Sequence, residues 1–257
     1  MDSYINIKTN TDNNYDNNNN NNRGRDDSSP SDDHEQKHVE HDVVVDFAEE
    51  GRKLLARVNM QQHDNDDDNG IETPLSIQRY AWSNAIYQHP KNPNCKLYVG
   101  NYMSASSMDA LNNSMNHCRR IVFCQSSRDG VKHFESNPEF MYLDFPIGMW
   151  RSYLPMNKRT PHDVYQFFKP LFEFLDTELL QNNNSVLIHC LAGAHRAGTA
   201  GIASLMYLTN MSAIDATRTA QTLRPIINPI SDFPYLLNLL EQGLEEEEER
   251  TTTTTTT

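Results

Sequence analysis

The 257-residue sequence has few cysteines and no long hydrophobic run. The four cysteines show no paired spacing and no zinc-ligand pattern, so they predict neither a disulfide framework nor a metal site. The first residues lack the apolar core of a signal peptide, and no apolar run approaches the length that spans a membrane. These absences predict a reduced protein of the cytoplasm, or of the nucleus, with no membrane partner.

The acidic charge of the chain lies in its two ends. The formal net charge of the whole chain is −13, but residues 76–243 carry +2 and the two flanks together carry −15. No stripe of basic residues alternates with aromatic residues, which is the pattern of a nucleic-acid-binding surface. The sequence therefore predicts no nucleic-acid partner, and the acidity of the ends bears on solubility more than on a site.

Composition divides the chain into a core and two low-complexity flanks. Residues 1–75 contain an Asn run and acidic patches, and residues 244–257 consist largely of a Glu run and a Thr run. Such segments bury too little apolar surface to offset the entropy lost on ordering, so both are predicted to be disordered tails. Residues 76–243 are rich in large apolar residues and are long enough for one packed domain.

One island within the N-terminal flank has the spacing of a helix. The spacing of four apolar residues fits one face of a short amphipathic helix within residues 43–60, although Gly51 lowers the helix propensity there: Phe47, Leu54, Leu55 and Val58. Such a helix can dock a partner protein, dock the chain's own domain, or form transiently without a role. The sequence leaves these alternatives open.

Strands and helices alternate through the core. Apolar runs predict buried strands, amphipathic stretches predict helices, and capping residues mark two helix starts. This alternation predicts an α/β fold with a mostly parallel central sheet flanked by helices. The predicted strands are 96–99, 120–124, 140–147 and 186–188; the predicted helices are 77–89, 106–115, 161–181, 196–208, 213–223 and 233–240, with a loop at 149–159.

The stretch 185–199, SVLIHCLAGAHRAGT, carries the strongest chemical signal. A predicted buried strand leads to Cys190, and five residues, three of them small, then lead to Arg196 and a helix. The backbone N–H groups of such a turn converge on an anion, Gly193 allows close approach, and the helix adds its positive end. The predicted phosphate-binding residues are Leu191, Ala192, Gly193, Ala194, His195 and Arg196.

Cys190 is predicted to lie at the floor of this phosphate site. The same N–H groups and the helix end stabilise a thiolate, which makes Cys190 a nucleophile for phosphoryl transfer through a phosphocysteine intermediate. The planar guanidinium of Arg196 can hold two phosphate oxygens at once. Cys190 and Arg196 are therefore the predicted catalytic residues, in a reaction that requires no metal and no cofactor.

The sequence HCLAGAHRAGT resembles the signature loop of the cysteine-dependent protein tyrosine phosphatases, and its CLAG opening resembles that of their dual-specificity branch. The resemblance implies a phosphatase-like α/β fold and hydrolysis of phosphotyrosine, phosphoserine and phosphothreonine in phosphoprotein substrates. It extends over residues 95–241. Near the end of this range, four residues resemble the loop and the last helix that close the phosphatase domain of the family: Arg224, Pro225, Pro229 and Phe233.

One departure from the family pattern concerns the position after the arginine. The family usually has Ser or Thr there, which helps the thiolate to leave during hydrolysis, but this chain has Ala197. Thr199 is the next hydroxyl along the chain, three residues beyond Arg196. The sequence therefore predicts slow breakdown of the phosphoenzyme.

A second departure concerns the general acid, an Asp that protonates the leaving oxygen. The resemblance places it roughly thirty residues before the cysteine and ahead of a helix, where residues 158–160 are Lys-Arg-Thr. Asp144 is the tentative general acid, since the long 149–159 loop accounts for its greater distance from Cys190. The alternatives are Asp163, which also fits a helix cap, and no conventional acid.

Two rival functions stay open. The alanine after Arg196 and the missing acid also fit a catalytically weak pseudophosphatase that binds phosphate without turning it over. A cysteine-dependent phosphatase of a non-protein substrate, such as an RNA 5′ end, a glucan or an inositide, has the same kind of loop. In either case the 190–196 loop remains the predicted phosphate site.

Overall fold

A computed structural model of the chain describes residues 45–63, 81–126 and 130–255, all within one compact unit. Most of the predicted disordered N-terminal flank, including residues 1–44 and 64–75, lies outside the described residues. The last two residues of the predicted C-terminal tail also lie outside them.

A five-stranded sheet forms the centre of the described chain. Its strands are β1 (Ser83–Gln88), β2 (Lys96–Gly100), β3 (Arg120–Phe123), β4 (Met141–Asp144) and β5 (Val186–His189). Across the sheet they follow the order β1-β2-β5-β3-β4, with β1 antiparallel to β2 and every other neighbouring pair parallel. The predicted α/β class with a mostly parallel central sheet is confirmed.

Helices flank this sheet. The α-helices of the described residues are α1 (Phe47–His63), α2 (Tyr102–Ser106), α3 (Trp150–Tyr153), α4 (Pro161–Phe174), α5 (Arg196–Thr209), α6 (Ala213–Leu223) and α7 (Phe233–Thr255). They are joined by π-helical segments at Ala110–Ser114 and Leu175–Gln181 and by 3-10 turns at Ile147–Met149 and Met156–Lys158. None of these helices is long and apolar enough to cross a lipid bilayer.

Strand β5 shows why its apolar run is continuous. Val186 and Ile188 pack into the large core formed with α4 to α7, whereas Leu187 packs into a smaller core on the other face, with α2. A parallel sheet covered on both faces buries successive side chains of a central strand, so all three positions are apolar. β5 lies between β2 and β3, and the 190–196 loop follows it at the carboxyl edge of the sheet.

Local capping signals predicted two helix starts correctly. At the start of α4, the Thr160 hydroxyl accepts a hydrogen bond from the Asp163 N–H at 3.2 Å, and the Asp163 carboxylate accepts one from the Thr160 N–H at 3.4 Å. This reciprocal arrangement is the predicted capping box. At the start of α6, the Ser212 hydroxyl accepts from the Asp215 N–H at 3.1 Å.

The predicted helix at 77–89 is wrong. Residues 83–88 instead form β1, which pairs antiparallel with β2 and places Ser83 opposite Gly100. The sequence SNAIYQ buries Ile86 while its neighbours stay half exposed, which suits an edge strand with one face on the core. Tertiary pairing with β2 therefore overrides the local helical pattern.

The predicted last helix, 233–240, is too short, because α7 continues through Gly243 to Thr255. A Cβ atom at Gly243 would overlap the carbonyl of Pro161, so the glycine allows α7 to approach α4 closely rather than ending it. Beyond this point, Arg250 lies 3.5 Å from the Glu246 carboxylate and 3.1 Å from that of Glu247. These pairs, three and four residues apart, support the added turns.

Candidate active site

The 190–196 loop joins β5 to α5, at the edge of the sheet where ligands bind in open α/β folds. Cys190 opens the loop and is 3 % exposed, while Arg196 begins α5 and is 4 % exposed. The Gly193 N–H donates to the Cys190 sulfur at 3.3 Å. The fold therefore brings the two predicted catalytic residues to one buried loop.

The carbonyl groups within this loop accept hydrogen bonds from the surrounding scaffold. A trans peptide points its C=O and the following N–H in opposite directions, and the described residues contain no cis peptide. The N–H groups at 192, 194 and 195 therefore point away from the scaffold, as the predicted anion site requires. The bonds are Leu191 O to Tyr102 N at 3.1 Å, Gly193 O to Arg224 Nε at 3.0 Å, and Ala194 O to Asn228 N at 3.2 Å.

Gly193 is required by both the conformation and the space of the loop. Its φ of +68° lies in the left-handed region that favours glycine. A Cβ atom there would overlap the carbonyl of Gly100 and would lie 2.8 Å from Nη2 of Arg224. The tight turn of the loop against β2 therefore depends on the absence of a side chain.

Arg224 holds the back of the loop, a role that the sequence did not predict. Its side chain is 1 % exposed, so its guanidinium is buried among oxygen acceptors. Because a buried carbonyl without a partner costs about 1–3 kcal/mol, these bonds fix the loop firmly. The acceptors are Gly193 O at 3.0 Å, Ala192 O at 3.5 Å, Ala81 O at 2.9 Å and Asn84 Oδ1 at 2.7 Å.

His189 directly precedes the loop and His195 lies within it, and both side chains are buried. Burial lowers the pKa of His189 to about 3, so its ring is neutral, and it packs edge-on against Phe123 with ring centroids 5.4 Å apart. His195 is 7 % exposed, and its Nδ1 lies 2.7 Å from the carbonyl oxygen of Asn228. The His195 ring therefore ties the loop to the segment that contains Asn228, whereas the His189 ring packs on a strand residue of the sheet.

The first turn of α5 has no free hydroxyl at the position after Arg196. Ala197 is fully buried there. The Thr199 hydroxyl donates to the His195 carbonyl at 2.8 Å, so it is held within the helix. Thr199 therefore does not take the place of the missing serine or threonine.

Asp144, the tentative general acid, ends β4 and is paired in register with Phe123. Its side chain is 63 % exposed, and its carboxylate lies 2.8 Å from Nζ of Lys132. Asp144 lines a surface groove. A smaller cavity beside Arg196 adjoins this groove, since Pro146 and Met149 line both, but Asp144 does not line the smaller cavity. Asp144 thus stands at the approach to the loop and not against it.

Asp163 has a structural partner instead. The Thr160 hydroxyl donates to its carboxylate at 2.6 Å, and this bond holds the pKa of Asp163 below its ordinary value. The capping box accounts for this residue.

The smaller cavity, about 150 Å³, contains a carboxylate that sequence reasoning missed. Asp46, which precedes α1, lines it together with Phe47, Gly148 and Arg196. An aspartate ahead of a helical pattern is readable as an N-cap. No signal in the sequence places that helix beside the 190–196 loop.

The other cysteines are buried free thiols. Burial raises the pKa of Cys95 to about 11 and that of Cys118 to about 12. Burial also raises the pKa of Cys124, which lines the cavity beside Arg196. These thiols are poor nucleophiles compared with a thiolate in an anion site.

Residues 97–242, more than half of the chain, match the family model described as dual specificity phosphatase, catalytic domain. The chain belongs to the dual-specificity phosphatase family. Among curated relatives, human dual specificity protein phosphatase 9 is 32 % identical over 120 residues, which are 44 % of this chain and 29 % of the relative. Mouse dual specificity protein phosphatase 8 is 35 % identical over 88 residues, 34 % of this chain and 13 % of the relative. The chain thus spans less than a third of the length of either.

Solved phosphatase structures are similar to the chain as well. A leucine rich repeat and phosphatase domain containing protein from Entamoeba histolytica is 22 % identical with a TM-score of 0.45, over 64 % of this chain and 94 % of that one. Human DUSP28 is 17 % identical with a TM-score of 0.47, over 64 % of this chain and 96 % of that one.

The glycine of the loop gives a direct test of this geometry. We expect Gly193→Ala to lower the kcat/KM for phosphate ester hydrolysis by about 10²-fold, because a displaced loop misplaces its N–H groups. We also expect a lower melting temperature, since a non-glycine residue at positive φ costs about 1–2 kcal/mol.

The matched control is Gly198→Ala. The three atoms nearest to a Cβ atom at Gly198 all belong to the Ile227 side chain, at 3.1 to 3.5 Å, and Gly198 has no positive φ. Hydrolysis kinetics and thermal melting of both variants measure the difference. Wild-type kcat/KM in Gly193→Ala contradicts the proposed role of the loop.

Proposed function

We propose that this chain is a dual-specificity protein phosphatase that hydrolyses phosphotyrosine, phosphoserine and phosphothreonine in phosphoproteins through a phosphocysteine at Cys190. The observation that carries the proposal is the 190–196 loop, whose carbonyls bond to the scaffold while Cys190 and Arg196 lie buried at its two ends. Its N–H groups, the α5 N-terminus and the guanidinium supply positive potential for a phosphate dianion.

In the proposed first step, the Cys190 thiolate attacks phosphorus in line with the leaving oxygen. The S–P bond forms as the P–O bond to the substrate breaks, and the leaving oxygen takes a proton from the general acid. In the second step, water attacks phosphorus and gives a proton to the carboxylate left by the general acid, and the S–P bond breaks to release phosphate and the thiolate. Arg196 and the loop N–H groups stabilise the equatorial oxygens in both transition states.

We propose Asp144 as the general acid because its groove adjoins the cavity beside Arg196. Asp144→Asn is expected to lower kcat by about 10²-fold for a phosphoserine peptide, whose leaving group needs a proton. Hydrolysis of an aryl phosphate with an acidic leaving group is expected to change little. The comparison of kcat values for the two substrates makes the measurement.

Asp163→Asn is the control for this experiment, since it removes a carboxylate of a helix cap and no proton donor. It should alter thermal stability but leave the ratio of the two kcat values at the wild-type level. Full activity of Asp144→Asn on the phosphoserine peptide rejects Asp144 as the acid.

The second step is proposed to be slow. Ala197 has no hydroxyl to assist the departing thiolate, and the Thr199 hydroxyl is bonded to the His195 carbonyl. The same observation favours a second candidate function, a pseudophosphatase that binds phosphoproteins with little turnover.

Purified full-length chain incubated with a panel of phosphate esters tests the proposal. Release of phosphate from phosphotyrosine, phosphothreonine and phosphoserine peptides is the expected result. Binding of phosphopeptides without phosphate release supports the pseudophosphatase. Release only from an inositide, a glucan or an RNA 5′ end contradicts a protein substrate.

A further inference from the structure

Helix α1 lies against the 190–196 loop. A Cβ atom built at Gly51 would lie 3.4 Å from Leu191 and 3.7 Å from Ala192, so the backbone of α1 contacts the residues that follow Cys190. One turn earlier, the Phe47 ring stacks on Phe233 with centroids 4.7 Å apart. The helix is therefore in contact with both the loop and the start of α7.

The sequence of α1 fits this contact. Phe47 and Gly51 are four residues apart and lie on one helical face; Gly51 is buried, whereas Arg52 and Lys53 are exposed. A helix of 17 residues is marginal in water without a partner for its apolar face. The chain's own domain supplies this partner, since α1 packs on Leu191, Ala192 and Phe233. Of the alternatives that the sequence left open, the structure shows docking on the chain's own domain.

The N-terminus of α1 brings a negative charge to the cavity beside Arg196. Asp46 and Arg196 both line this cavity. Gly148 lies between α1 and the arginine: a Cβ atom built there would lie 3.0 Å from the Arg196 side chain and 3.3 Å from the Phe47 ring. The start of α1 therefore forms part of the wall of the cavity that Arg196 lines.

Asp46 is bonded as a carboxylate and not as a proton donor. It accepts hydrogen bonds from the N–H groups of Ala48 at 2.9 Å and Glu49 at 3.0 Å. The Glu49 N–H is the main cause that holds the pKa of Asp46 below its ordinary value, and the charges of Arg52 and Arg196 add to it. These contacts favour the anionic form of Asp46 at the cavity that Arg196 also lines.

We propose that residues 46–56 form an intramolecular cover that competes with phosphorylated substrates for the 190–196 loop. The proposal rests on the proposed phosphatase function. Because the cover belongs to the same chain as the loop, its binding is intramolecular, with an effective concentration of about the millimolar level. If the cover lies in place nine-tenths of the time, the apparent affinity for substrate falls about tenfold.

The test uses the full-length chain and the variant Gly51→Phe. A Cβ atom at Gly51 would already be in van der Waals contact with Leu191, at 3.4 Å. The larger phenylalanine ring therefore has no room there and should displace α1. The control is Ala56→Phe, which adds the same ring to an exposed position of the same helix. Two measurements are made on each protein: the rate at which iodoacetamide alkylates Cys190, followed by peptide mapping, and the kcat/KM for an aryl phosphate.

The expected result is an increase of about tenfold in both quantities for Gly51→Phe, with Ala56→Phe at the wild-type level. Cys95 and Cys118 are internal references that stay unmodified while the domain is folded. An unchanged alkylation rate at Cys190 overturns the cover, whatever the activity. Faster alkylation without hydrolysis by any of the proteins supports the cover and counts against the phosphatase function, so the two failures are distinguishable.

Asp46→Asn separates a cover from a catalytic acid. It removes the negative charge near Arg196, so the cover predicts a severalfold higher kcat/KM for aryl phosphate and phosphoserine peptide alike. A fall in kcat that is confined to the phosphoserine peptide assigns Asp46 to acid catalysis and overturns the inference.

Discussion

Replacement of Cys190 by serine is expected to lower phosphate ester hydrolysis by at least about 10³-fold while phosphate binding is retained. A serine hydroxyl is a far weaker nucleophile toward phosphorus than a cysteine thiolate, because the thiolate is the reactive form of cysteine. The groups that hold the phosphate oxygens, namely the loop N–H groups and Arg196, remain in place. The measurements are kcat/KM for an aryl phosphate and the affinity for a phosphopeptide by calorimetry.

Cys95→Ser is the matched control. The Cys95 thiol is also buried, and its sulfur lies 3.3 Å from each of two acceptors for its single S–H, the carbonyl oxygens of Leu179 and Asn184. A serine can keep one of these bonds, so this variant should hydrolyse phosphate esters at the wild-type rate. Equal hydrolysis by wild type and Cys190→Ser would sink the assignment of Cys190 as the nucleophile.

Arg196→Ala is expected to reduce kcat/KM by about 10³-fold, because it removes two charge-assisted contacts to the transferring phosphoryl group. The kcat/KM of Arg196→Lys should exceed that of Arg196→Ala by less than about tenfold. An ammonium is a point charge that does not reproduce the bidentate fork of a guanidinium. The affinity for phosphopeptide should fall in both variants, which distinguishes them from Cys190→Ser.

The control for the arginine series is Arg218→Ala. Its side chain is 74 % exposed on α6 and pairs with Asp215 at 3.1 Å. An exposed ion pair contributes about 0–1 kcal/mol, so this variant should show wild-type kinetics and nearly wild-type melting. If Arg196→Lys is as active as the wild type, the bidentate contact is not part of the mechanism.

The fold class was predictable because its signals are local. The apolar run of β5, the capping boxes at Thr160 and Ser212, and the small residues after Cys190 each act within a few residues of themselves. Such signals placed the 190–196 loop at the end of a buried strand and the start of a helix. They also identified Gly193 as the position where a side chain cannot be accommodated.

The elements that sequence reasoning missed are set by distant contacts. Residues 83–88 become a strand because β2 lies beside them, and Gly243 stays helical because α7 packs closely on α4. Arg224 is separated from Gly193 by 31 positions, and nothing in its local sequence indicates that it holds the loop.

The contact of α1 with the loop is the extreme case of this limit. Asp46 and Arg196 are 150 positions apart in the sequence, yet they line one cavity. The amphipathic pattern predicts that the helix needs a partner, but it does not say which surface provides it. Only the packing of the helix shows which surface this is: Gly51 lies against the residues that follow Cys190, and Phe47 lies against the start of α7.

The central claim is that Cys190 accepts the phosphoryl group. The most direct measurement mixes the full-length chain with a radiolabelled phosphotyrosine peptide, quenches the reaction in denaturant within one turnover, and maps the labelled peptide. Label is expected on Cys190, and it should accumulate toward one phosphate per chain because Ala197 leaves the second step slow. Release of phosphate with no label on Cys190, or label on another residue, would contradict it.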